Sequence, residues 1–115
     1  MPAARPNPLK LNRLQCKTLA LLQALAELPR YATPGPEEGE TVIASMPPAH
    51  GNHFHLGPYI VFASDATGLA NRSVFVALTR RGLVRDAGGR TVLTVAGRDY
   101  ETGVAGSILH RSDHD

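Results

Sequence analysis

The chain has 115 residues, enough for one domain with a modest core. Its 43% hydrophobic and 19% charged residues suit a globular protein, while three Phe, three Tyr and no Trp leave too few rings to stack single-stranded nucleic acid. The net charge is only +2, but residues 71–99 carry six arginines against two aspartates, a local charge of +4, whereas residues 32–49 carry only Glu37, Glu38 and Glu40.

Residues 1–9, with prolines at 2, 6 and 8, are expected to form a flexible N-terminal arm. Residues 1–10 lack the apolar core of a signal peptide, and no apolar run approaches the roughly 20 residues that span a bilayer. Cys16, the single cysteine, excludes an intrachain disulfide, and a cytoplasmic location without membrane attachment is expected.

Residues 10–28 predict the first helix. Leu11, Leu14, Thr18, Leu21, Leu25 and Leu28 alternate at spacings of three and four, with Asn12 as a cap and Pro29 as a stop. Leu19, Leu22 and Ala26 widen the stripe so far that a second cover is required, and a partner subunit is one candidate for it.

Residues 30–39 read as a loop, rich in Pro and Gly. Residues 40–46 and 53–63 read as two strands, separated by Pro47 and Pro48 and paired as a hairpin, with a bend at Gly57-Pro58. Residues 66–70 form a short helix or turn interrupted by Gly68. Asn71 or Ser73 then caps a helix that runs to about Arg81, with Gly82 just beyond it and Val74, Ala77 and Leu78 inside. Residues 84–94 fold about Gly88-Gly89 as a hairpin. Residues 96–109 begin another helix, weakened by Gly97, Gly103 and Gly106, and residues 110–115 are a polar tail.

Ser73-Val74-Phe75-Val76-Ala77-Leu78-Thr79-Arg80-Arg81-Gly82-Leu83-Val84 resembles the recognition helix of bacterial winged-helix regulators. Leu93-Thr94-Val95-Ala96-Gly97-Arg98 resembles the Leu-Thr-x-x-Gly-Arg that closes the wing of MarR-like proteins. The likeness covers residues 64–100 well and 10–28 loosely. It implies an α+β winged-helix-like fold over residues 10–109, with residues 30–63 as a β-hairpin insertion between the first helix and the recognition helix.

The function so implied is that of a homodimeric transcription regulator on double-stranded DNA. Asn71, Arg72, Ser73, Phe75 and Val76 would face DNA, Thr79, Arg80 and Arg81 would flank it, and Arg90 would tip the wing. A protein-binding module on the same scaffold is the alternative, through Phe75, Val76 and the insertion.

His50, His53 and His55 form a separate candidate site. In a strand His53 and His55 share a face, and with His50 from the turn they make a possible zinc, nickel or copper site, hence a metal-responsive variant. No nucleophile elbow, phosphate-binding glycine loop or paired carboxylate motif occurs, so no enzymatic activity and no other cofactor is expected.

Overall fold

Asn12 opens the first helix in the computed structural model, which describes residues 5–111. Its side-chain oxygen accepts from the Gln15 N–H at 2.8 Å, and the Gln15 side chain accepts from the Asn12 N–H at 3.0 Å. This reciprocal capping box starts helix α1, Arg13–Ala26. Five consecutive residues of α1, Thr18, Leu19, Ala20, Leu21 and Leu22, are each at most 2% exposed, so the helix is covered on all sides.

Two cores flank it. Cys16, Leu19 and Leu22 meet Val74, Leu78, Leu83 and Leu93 on one side. Ala20, Leu21 and Leu25 meet Leu56, Val61, Ala66 and Ile108 on the other. The second cover therefore comes from the chain itself, not from a partner at this face. Cys16 is a buried member of the first core, and burial pushes its thiol pKa up.

Among the described residues the strands are β1 (Ala32–Pro34), β2 (Thr41–Ile43), β3 (His53–Leu56), β4 (Tyr59–Phe62), β5 (Val84–Ala87), β6 (Arg90–Leu93) and β7 (His110–Arg111). They form two antiparallel sheets, β1-β2-β6-β5 and β3-β4-β7. The expected hairpin between residues 40–46 and 53–63 does not form. Instead β2 lies between β1 and β6, with Val42 opposite both Thr33 and Val92, which buries Val42.

Residues 53–63 turn back on themselves at Gly57-Pro58, pairing Leu56 with Tyr59. That fold sends Leu56 and Val61, both fully buried, onto α1. The separate β unit thus begins only after residue 43, because residues 32–34 and 41–43 belong to the four-stranded sheet.

Residues 67–70 make a 3₁₀ turn rather than an α-helix. Gly68 allows it to lie directly on α1: a Cβ there would sit 1.9 Å from Thr18 Oγ1. Helix α2, Arg72–Arg80, follows from the Asn71 cap and ends before Gly82 at φ +73°. The helix expected over residues 96–109 is split into α3 (Val95–Asp99) and α4 (Ala105–Ile108), because the chain becomes extended at Tyr100.

The expected tail begins with a strand: His110 of β7 pairs with Ile60 of β4, and residues 112–115 lie outside the described residues. At the other end Asn7, within the expected arm, is held firmly. Its N–H donates to the Glu101 carbonyl at 2.6 Å, and its Oδ1 accepts from the Tyr100 hydroxyl at 2.6 Å and from the Leu11 N–H at 2.8 Å. The α+β class is as expected.

The Leu93–Arg98 motif has a physical basis in this structure. Thr94 Oγ1 donates to the Gly82 carbonyl at 2.7 Å and accepts from the Gly97 N–H at 3.0 Å. Its backbone N–H donates to the Leu83 carbonyl at 3.2 Å. Gly97 presses on that same carbonyl, where a Cβ would come to 1.9 Å. Gly97→Ala should therefore destabilise the chain by about 1–3 kcal/mol, since the contact is with backbone that has little room to move. Gly106→Ala, with nothing within 4 Å of a new Cβ, should be neutral or slightly stabilising. Thermal denaturation checks both, and equal midpoints for the two variants would contradict the close packing.

Candidate nucleic-acid interface

Helix α2 divides its residues by period. Val74 and Leu78 point into the first core at 3% and 0% exposure. Arg72, Ser73, Val76, Ala77 and Arg80 line a shallow open depression of about 380 Å³ on the outer side. Val76, 41% exposed, is its apolar centre.

The other residues expected at this interface have mixed placements. Asn71 is committed to the backbone: its Oδ1 accepts from the N–H of Ser73 at 2.9 Å and of Val74 at 3.4 Å, satisfying donors at the helix start. Thr79 is exposed, and its hydroxyl donates to the Phe75 carbonyl at 2.7 Å. Phe75 does not project outward with Val76. It is half-buried, packs on the first core, and shares a cleft with Thr79, Val84, Arg85 and Thr91 between α2 and the β5–β6 hairpin. Arg81 is exposed at the C-terminal end of α2. Arg90 is exposed where β6 leaves the Gly88-Gly89 turn.

The six arginines of this half are not equivalent. Arg85 donates along one edge of its guanidinium to both carboxylate oxygens of Glu40, with Nε–Oε2 at 3.0 Å and Nη2–Oε1 at 2.6 Å. Arg98 donates through Nη1 to the Gly39 carbonyl at 3.1 Å and lies 3.3 Å from Asp99. Among the described residues Arg72, Arg80, Arg81 and Arg90 make no ion pair. These four supply the exposed positive charge that no described carboxylate pairs with. Sequence reading missed the Glu40–Arg85 pair, and a separation of 45 residues carries no local signal for it.

Asp65 is likewise occupied, by Lys17 at 2.6 Å, which pins the approach to α2 onto α1. A further depression, of about 390 Å³, lies between the end of α1, β1 and Arg98 and has no counterpart among the expected sites.

The small sheet places the histidines together. In an antiparallel ladder directly opposed residues share a face. His53 faces Phe62, and His55 faces Ile60, which in turn faces His110. His50 bridges to His53. Ring centroids are 4.9 Å apart for His53–His55, 5.3 Å for His50–His55 and 6.2 Å for His50–His53. Even so, among the described residues no group of three or more His, Cys, Asp or Glu side chains is arranged to hold a metal ion, so the three-ligand site is not preformed. His50 lies in a turn, where the strand period that aligns His53 and His55 does not operate.

The Glu40–Arg85 pair gives a pH test. The paired hydrogen bonds from the Arg85 guanidinium hold the Glu40 carboxyl below its usual range, ahead of the opposing effect of desolvation. A carboxyl whose pKa is lowered on folding adds stability above its unfolded value, about 4.3, and that stability is lost as pH falls through the lower folded value. Glu40→Gln should therefore flatten the acid side of the stability profile, read as urea midpoints from neutral pH down to about pH 3. Identical acid slopes for the variant and the parent chain would remove this pair from the pH dependence.

No described helix is long and apolar enough to cross a membrane. No family model, curated protein or solved structure matches the chain.

Proposed function

We propose that the chain binds double-stranded DNA as a winged-helix transcriptional regulator, acting as a dimer on two half-sites. The observation that carries this reading is the set of four exposed arginines, Arg72, Arg80, Arg81 and Arg90, on α2, its C-terminal end and the adjoining hairpin turn, none of them in an ion pair among the described residues. An α-helix fits the major groove, and the first turn of a recognition helix meets base edges. Arg72 and Ser73 occupy that turn, with Val76 one turn on, suited to a thymine methyl group.

Arg80 and Arg81 at the far end of α2, and Arg90 at the hairpin turn, are then the phosphate contacts. The wing is the β5–β6 hairpin. Dimer formation is part of the proposal because one small module buries too little DNA surface for specificity. The dimer surface lies elsewhere than α1, which is already covered on both sides.

The apolar centre of the α2 depression, Val76, favours a second reading, in which the same face holds a protein partner. Fluorescence anisotropy with a pool of labelled duplexes separates the two. The chain should bind the pool at about 50 mM salt, with log K falling linearly against log salt. The double variant Arg80→Ala, Arg81→Ala should bind more weakly and lower that slope by about two, near one for each phosphate contact removed. Absence of duplex binding by the purified chain sinks the DNA reading. A partner retained from extract after nuclease digestion would then support the protein-binding one.

A further inference from the structure

We propose that His53 and His55 form a two-point chelate for a first-row transition-metal ion that prefers imidazole, namely nickel(II), copper(II) or zinc(II). The proposal is independent of the DNA reading, because the two histidines lie on the small sheet and α2 contributes nothing to them. Its basis is the separation of the two ring nitrogens. His53 Nε2 and His55 Nε2 are 3.1 Å apart.

Two nitrogens held at about 2.05 Å from one ion are about 2.9 Å apart at a right angle and about 3.3 Å apart at the tetrahedral angle. The observed distance falls between the square-planar value favoured by copper and nickel and the tetrahedral value of zinc. The rings agree with this. Bound through Nε2 to a common ion, they would have centroids about 4.5–5.2 Å apart across the same range of angles. They are 4.9 Å apart and inclined by 73°, edge-on rather than stacked.

The surroundings hold this geometry in place. Both residues are on β3, two positions apart, so the strand period puts them on one face. The opposite face of the hairpin is anchored in the second core through Leu56 and Val61, both fully buried. At its start β3 is tied to the preceding turn, where the His50 N–H donates to the His53 carbonyl at 2.7 Å.

His53 also has a supporting partner behind the ring. Its Nδ1 lies 3.3 Å from the Asn52 side-chain oxygen. Donation from Nδ1–H to that oxygen leaves the Nε2 lone pair facing His55, the usual outer-shell device for a metal-binding histidine. Without metal, one Nε2–H donates to the other Nε2 across this contact. Metal binding takes both Nε2 lone pairs, so each neutral ring then carries its proton on Nδ1. The open coordination positions fall to water, or to His50 after a change of rotamer.

Calorimetric titration of nickel, copper or zinc chloride into the full chain at neutral pH tests the proposal. One ion should bind per chain. His53→Ala and His55→Ala should each weaken binding by at least about tenfold, because a chelate becomes a single contact. His110→Ala should leave binding unchanged, since that ring shares the face but lies two strands away. Electron paramagnetic resonance of the copper-loaded parent chain should show coupling to two imidazole nitrogens, a readout that does not depend on any variant folding. Unchanged affinity in His53→Ala or His55→Ala, loss of binding in His110→Ala, or coupling to fewer than two imidazoles would each overturn it.

Discussion

Arg13–Ala26 is too apolar to leave any side to water, and the rest of the chain is arranged to meet that requirement. A helix with one apolar stripe needs one cover; α1 needs two. The four-stranded sheet with α2 supplies one, and the three-stranded sheet with α4 supplies the other. The small sheet is thus no ornament on a finished domain. It removes Ala20, Leu21 and Leu25 from water, at roughly 25 cal/mol for each Å² of apolar surface buried.

Polar side chains of α1 then fix where the outer elements sit. Lys17 holds Asp65 just before the 3₁₀ turn. Gln23 Nε2 donates to the Gly97 carbonyl at 2.8 Å and to the Tyr100 carbonyl at 2.7 Å, placing α3. From α3 the Thr94 hydroxyl reaches back to the end of α2. The two ends of the unit that presents the arginines are therefore both referred to one helix. Which arginines face solvent is decided across the sheet: Glu40 at the edge of β2 takes Arg85, leaving the charge on α2 and the hairpin turn.

Those features that depend on neighbours in sequence were legible. The Asn12 and Asn71 caps, the Gly82 terminus and the Gly88-Gly89 hairpin each rest on local chemistry, and each is present. What required partners distant in sequence was not. Val42 could pair with any buried strand, and only the demand for cover on both flanks places it beside Val92. The winged-helix resemblance turned Phe75 toward DNA, yet it packs on the first core beside the β5–β6 hairpin, a neighbour that a helix wheel does not contain. His110 joined the histidine-bearing face through a two-residue strand, too short for any periodicity to register.

The double role of α1 restricts what the chain can tolerate. Consecutive positions serve opposite cores: Leu19 and Leu22 belong to one, while Ala20, Leu21 and Leu25 belong to the other. Adding or deleting one residue within this run would rotate everything downstream by about 100°. In a helix with a single buried stripe, such a slip misplaces one set of contacts. Here it would send leucines of one core toward the other and displace Gln23 from α3 in the same step. The spacing from Leu19 to Leu25 is therefore a fixed measure of the molecule.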